Sequence, residues 1–166
     1  MDAVVKKHLT VIVAVTLIGI VTAVLLMNLV RDSAGSLGAN QFSILIFLIP
    51  CIIMLIGSFI IAATATQIGR QLYLAVLIIC LVTGIASMVV GSNWLSDPQI
   101  TAALLANSPE NTVVTPILKS PITILRDIAA FIVIPTVGCI AGAWVGSRLH
   151  PMQADKPKRK KSNKKN

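Results

Sequence analysis

The stretch that decides the fold is residues 42–69, FSILIFLIPCIIMLIGSFIIAATATQIG, which contains no acidic, basic or histidine residue. At a rise of about 1.5 Å per residue, a helix of about 20 apolar residues crosses the hydrocarbon layer of a bilayer. A helix is required because backbone groups in lipid must find their hydrogen-bond partners within the segment. The stretch therefore predicts a transmembrane helix.

Three further stretches repeat this pattern, since 9–30, 71–90 and 128–147 also lack charged residues and histidine. The chain of 166 residues has a mean hydropathy of +0.87. This value is too high for a soluble core of that size. We predict an all-α integral membrane protein, a four-transmembrane-helix bundle forming one domain over residues 1–150. The predicted spans cover about 9–30, 42–66, 71–91 and 122–148.

The first span could in principle be a signal peptide that is removed. Its apolar run is longer than the core of about 7 to 15 residues that signal peptides carry, so we expect it to be retained as a membrane anchor.

The distribution of positive charge predicts the orientation. The formal net charge is +8, and with both termini in the cytoplasm, eleven of the fourteen basic residues lie on the inner side. Only Arg31, Lys119 and Arg126 then lie outside, as the positive-inside rule requires. The outer segments carry no permitted glycosylation acceptor, because Asn107-Ser108 is followed by Pro109. We expect an N-in, C-in multi-pass protein of a bacterial cytoplasmic membrane.

Two segments lie outside the predicted spans. The outer loop of 36 residues, 92–127, contains a predicted short helix, in which Asp97 is the N-cap and Pro98 the first residue. The tail, 151–166, has no aliphatic residues in its basic part and is expected to be disordered. We expect the tail to contact anionic lipids at the cytoplasmic face, or an acidic partner, and not nucleic acid, because no aromatic residue separates the lysines. The tail residues concerned are Lys156, Lys158, Arg159, Lys160, Lys161, Lys164 and Lys165.

Small residues recur at helical spacing in the spans. Gly138, Gly142 and Gly146 lie four residues apart, which predicts a flat face where another helix backbone approaches closely. That helix could belong to the same chain, to a second copy or to another protein. Further small residues are expected to take part in helix packing, and their hydroxyl groups to form hydrogen bonds across helices: Gly19, Ala23, Thr83, Ser87 and Gly91.

The three cysteines fall on different spans at similar depth. Cys51, Cys80 and Cys139 could in principle bind a soft metal such as copper(I). A free cysteine more often behaves as a small buried hydrophobic residue, and no histidine or methionine motif supports a metal cluster. We predict no metal, no cofactor and no disulfide.

No set of side chains with catalytic spacing is recognisable. The four apolar stretches contain none of the acidic or basic groups that mark proton relays and ion-coupled transporters. We therefore expect a non-enzymatic accessory, assembly or scaffolding subunit of a membrane complex, bound to another membrane protein or to copies of itself. One alternative is an oligomeric passive pore or holin-like permeabiliser assembled through the glycine series. A second alternative is a transporter or enzyme for a lipid-like substrate, with Arg126, Asp127 and Lys119 as headgroup contacts.

Overall fold

The computed structural model describes residues 3–64 and 69–149 of the chain. Over these residues every regular element is helical, and four helices are long and apolar enough to cross a membrane. This confirms the all-helical class and the prediction of four spanning helices. The helices are α1 (Ala3–Asp32), α2 (Ala39–Thr64), α3 (Gly69–Trp94), α4 (Pro98–Ala106) and α5 (Pro121–Leu149), with 3-10 turns at Ala34–Ser36 and Ile117–Lys119.

The long helices extend beyond the apolar runs that predicted them. α3 continues to Trp94 and α5 begins at Pro121, so the connection between them covers 95–120 instead of 92–127. Helical hydrogen bonding does not stop where the side chains become polar, which explains the three further residues at the end of α3. The start of α5 lies one residue before the predicted span 122–148. Arg126 and Asp127 therefore lie on a spanning helix, as that span implied.

The short helix α4 begins as its sequence predicts. The carboxylate of Asp97 accepts a hydrogen bond of 2.9 Å from the backbone N–H of Gln99, and Pro98 occupies the first helical position. Proline fits there because its missing N–H would have no partner in the first turn. Leu104 is fully buried and Ile100 nearly so, so one face of α4 rests on the rest of the protein.

α2 is the central helix of the bundle. It packs most extensively on α5, then on α1, and also on α3, which in turn packs on α5. Phe131 of α5 is almost completely buried; its ring lies against Gly84 of α3, with its centroid 6.2 Å from that of Phe47 of α2. The helices α2, α3 and α5 therefore share one core.

α1 lies at the edge of this arrangement. It packs on α2, and only 6% of its most apolar stretch is buried, compared with 33% for α2 and 28% for α3 and α5. Most of the apolar side chains of α1 therefore face outward. The bundle consists of a three-helix core with α1 attached to one side of α2.

The connecting segments cover one end of the bundle, which we call the α4 end. The hydroxyl oxygen of Ser108 accepts a hydrogen bond of 2.8 Å from the backbone N–H of Ala39, and the side-chain amide of Asn107 donates one of 2.8 Å to the carbonyl oxygen of Gly35. Ile117 is buried beside Gly91 and Ile46. The segment between α3 and α5 is thus fixed to the turn between α1 and α2.

Candidate functional site

The glycine series of α5 lies against α2 of the same chain. A Cβ atom added to Gly138 would lie 2.7 Å from the carbonyl oxygen of Leu55, and one added to Gly142 would collide with the carbonyl oxygen of Phe59 and lie 3.0 Å from the Cβ of Ala62. These obstacles are mostly backbone atoms, which cannot rotate away. Only glycine allows the two helices to approach this closely.

This contact identifies which backbone lies against the glycine face. Gly138 and Gly142 meet α2, and Gly146 is buried one turn further along α5. A second copy of the chain cannot use the surface of Gly138 and Gly142 while α2 covers it. The geometry therefore makes these glycines part of the internal packing of the chain.

The small residues of α1 make a looser contact with the same central helix. A Cβ atom on Gly19 would lie 3.3 Å from the Cγ2 atom of Ile53, and one on Gly57 of α2 would lie 3.7 Å from the Cγ1 atom of Val15. Ala23 is also buried. The neighbouring atoms here are ends of side chains, so this interface does not depend on backbone contact.

The small residues of α3 do not act as one packing stripe. Gly91 faces α2, where an added Cβ would lie close to Ile46. Thr83 and Ser87 instead line an open crevice of about 270 Å³ between α1 and α3. Their hydroxyl groups donate hydrogen bonds to carbonyl oxygens one turn earlier in α3, at 2.8 Å and 2.9 Å. The expectation that they bond across helices is therefore wrong, because the backbone of the same helix offers a nearer acceptor.

A different pair of side chains forms a polar contact across helices. The hydroxyl groups of Tyr73 on α3 and Thr136 on α5 are 2.9 Å apart, within hydrogen-bonding distance. Neither residue belongs to a predicted packing stripe. Sequence reasoning therefore missed this contact.

The three cysteines do not form a metal cluster. Cys51, Cys80 and Cys139 are all free thiols and all buried. Across residues 3–64 and 69–149, no group of three cysteine, histidine or acidic side chains is placed to bind a metal ion. Similar depth on three helices does not bring the three thiols together, because depth does not determine the direction in which each side chain points.

The most unusual polar feature of the described residues is an ion pair on α5. Asp127 is only 2% exposed, although its neighbour Arg126 is 63% exposed. The Nε atom of Arg126 donates a hydrogen bond of 2.8 Å to Oδ1 of Asp127, and its Nη2 atom lies 2.7 Å from the same oxygen. A buried carboxylate is stable as an anion only with such a partner.

An aromatic ring supports the guanidinium group of this pair. The Cζ atom of Arg126 lies 5.2 Å from the centroid of the Phe47 ring, within the range of a cation–π contact. Phe47 belongs to α2, so the arginine side chain leans from α5 onto the neighbouring helix. Asp127 and Phe47 together hold the cation at the α2–α5 boundary.

The pair differs from the sequence-based expectation in one respect. Under the second alternative, Arg126, Asp127 and Lys119 would all contact headgroups, but the structure leaves only Arg126 and Lys119 exposed. The burial of Asp127 arises in the packed bundle, and no feature near residue 127 in the sequence signals it. Phe47 was missed for the same reason.

The remaining predicted contact residues cannot be placed. The basic tail, from Lys156 to Lys165, lies outside the described residues, as does the link at 65–68.

Comparison of the chain with protein-family models, with curated proteins and with solved structures finds no match. The fold and the contacts described above are therefore the basis for any functional assignment.

Proposed function

We propose that this protein is a non-enzymatic accessory, assembly or scaffolding subunit of a membrane complex. The proposed orientation places both termini in the cytoplasm of a bacterial cell, with the α4 end on the outer side. The observation that carries the proposal is the position of α1, which packs on one helix, α2, and leaves its opposite face exposed along its apolar length.

A spanning helix attached on one side presents a long surface in the plane of the membrane. Ile18 and Leu25 lie seven residues apart on α1, and both are about two thirds exposed. Residues at this spacing share one face of a helix. Contact between membrane helices depends on close packing, because lipid tails and apolar side chains are equally hydrophobic. This face of α1 is where we propose that a partner subunit packs.

The pore alternative loses the surface on which it relied. Oligomerisation was to use the glycine series, but Gly138 and Gly142 are covered by α2 of the same chain. The hydroxyl groups of Thr83 and Ser87 form hydrogen bonds to their own helix. No observation on the described residues favours permeabilisation over the subunit role.

Site-specific crosslinking in the native membrane tests the proposal. A photoreactive amino acid at Ile18 or Leu25 is expected to yield a discrete adduct with another membrane protein, identified by mass spectrometry. The matched control is Ile78 on α3, which is equally exposed and should yield lipid adducts only. Adducts of twice the chain mass would point to a homo-oligomer, and monomer alone at both α1 positions would overturn the proposal.

A further inference from the structure

We propose that the α2–α5 boundary is a binding site for one phospholipid of the leaflet at the α4 end. The phosphate binds the guanidinium of Arg126, and one acyl chain lies in the groove below it. This inference does not depend on the subunit role, because it concerns a face of the protein remote from the outward face of α1.

The groove provides an apolar channel of suitable size. It lies between α2 and α5 and has a free volume of about 310 Å³ with an entirely apolar surface. A spanning helix, about 10 Å across with its side chains, is too wide to enter it. An extended hydrocarbon chain is the narrower occupant that the surrounding lipid supplies. The groove is lined by Leu48, Cys51, Ile52, Leu55, Val133, Ile134 and Val137.

The position of Arg126 connects this groove to a charged end. Arg126, Val133 and Val137 are spaced by seven and four residues, so they follow one face of α5. Phe47, beneath the guanidinium, directly precedes Leu48, which lines the groove. The cation therefore lies at the α4 end of the groove.

The distance from Arg126 to the far end of the groove corresponds to one leaflet. From Arg126 to Val137 the helix rises about 16 Å, and half of a hydrocarbon layer of ~30 Å is about 15 Å. A chain extending from a phosphate at Arg126 would therefore end near the middle of the bilayer. A single phospholipid tail has this reach.

The guanidinium is oriented to accept an external anion. It directs Nε and Nη2 at Asp127, while its other N–H groups have no hydrogen-bond partner within 3–64 and 69–149. Arginine carries five such donors in a rigid plane, which suits it to phosphate. Asp127 is 98% buried and cannot itself reach the headgroup, so it is a positioning residue that fixes the plane of the guanidinium.

Arg31 provides an internal comparison at the same end of the bundle. Its Cζ atom lies 6.0 Å from the ring centroid of Trp94, so it also rests on an aromatic residue. No salt bridge to a buried carboxylate holds it among the described residues. Arg31→Gln is therefore a control that removes an exposed, ring-supported arginine without removing the proposed site.

The test uses the full chain in phosphatidylcholine vesicles that contain a trace of phosphatidylcholine with a photoactivatable acyl chain. Adducts are expected mainly on the groove residues of α2 and α5, as mapped by mass spectrometry. Diacylglycerol with the same photoactivatable chain but no phosphate should label the groove about fivefold less, since it lacks the charge-assisted hydrogen bonds.

Two variants separate the headgroup contact from the groove. Arg126→Gln with Asp127→Asn removes both charges together, which avoids an uncompensated buried anion, and should reduce groove labelling by about fivefold. Val137→Trp fills the groove while keeping the ion pair and should reduce labelling similarly. Two control variants should leave the labelling of the groove unchanged. They are Arg31→Gln and Val82→Trp, and Val82 is an exposed residue of α3.

Two results would overturn the proposal. The first is even labelling of α1, α3 and the groove, which would mean that lipid contacts are unselective. The second is equal labelling by the diacylglycerol and phosphatidylcholine probes, which would exclude a role for the phosphate. Neither result would affect the α1 crosslinking experiment, so the two proposals fail independently.

Discussion

The α2–α5 interface and the α1–α2 interface both join apolar helices, but they use different atoms. In the first, the glycines of α5 lie against carbonyl oxygens of α2. In the second, the nearest atom to Gly19 is the Cγ2 methyl group of Ile53. A carbonyl oxygen moves only with its helix, whereas a side-chain methyl group can give way through a small shift of the side chain.

The two interfaces also differ in how completely they are enclosed. Pro50 of α2 and Pro135 of α5 are among the most buried of the described residues, whereas few residues of the apolar stretch of α1 are buried. Helix association in lipid is stabilised by the quality of packing, because there is no hydrophobic gain from leaving water. The core therefore depends on α2 and α5, and α1 contributes one packed face.

The largest effect is expected for Gly142→Ala. Its new methyl group collides with the carbonyl oxygen of Phe59, so the helices must separate, and we expect a loss of about 2 kcal/mol in the free energy of unfolding. Unfolding of the purified chain in mixed micelles, followed by circular dichroism, measures this loss. Ala143→Ser adds one atom at an exposed position of the same helix and is the control. Equal stability of the two variants would show that the interface is looser than described.

A smaller effect is expected for Ser108→Ala at the α4 end. The Ser108 hydroxyl accepts from the N–H of Ala39 and donates to the carbonyl oxygen of Leu104, so its removal should cost about 1 kcal/mol. The same unfolding assay measures it. Ser36→Ala, which removes only an exposed local bond to Ser33, should change stability little. If both variants behave alike, α4 does not secure the α1–α2 turn.

The smallest effect is expected for Gly19→Ala at the α1–α2 interface. The added methyl group meets only the end of Ile53, and alanine favours the helix over glycine by up to about 1 kcal/mol. Stability should therefore stay within about 0.5 kcal/mol of the parent. A destabilisation as large as that of Gly142→Ala would show that α1 is packed as rigidly as α5.

Features that depend on a few neighbouring residues were predictable from the sequence. The spans follow from uncharged runs, and the start of α4 follows from Asp97 and Pro98, because hydropathy and capping are local properties. The glycine series was recognised as a close-packing face, but the sequence left its partner open. That choice depends on how α2 is rotated about its axis, which is a property of the assembled bundle.

The ion pair shows more clearly what could not be predicted. Arg126 and Asp127 are adjacent in the sequence and have opposite exposure, because neighbouring side chains of a helix point to different sides and only one side of α5 faces the bundle here. Their supporting ring, Phe47, is far away in the sequence. Likewise, Thr83 and Ser87 have the spacing of a packing stripe but line a crevice, since spacing defines a face without identifying what lies opposite.

Because α2 packs mainly on α5, the core cannot be completed until α5 has been synthesised. α2 precedes its most extensive partner, α5, by two intervening helices, α3 and α4. Until then, the α2 surface around Leu55 and Phe59 faces lipid, and the turn before Ala39 lacks the Ser108 hydroxyl, 69 residues further along. A nascent chain that stalls before Pro121 therefore holds an unfinished core, in which α2 lacks its main packing partner.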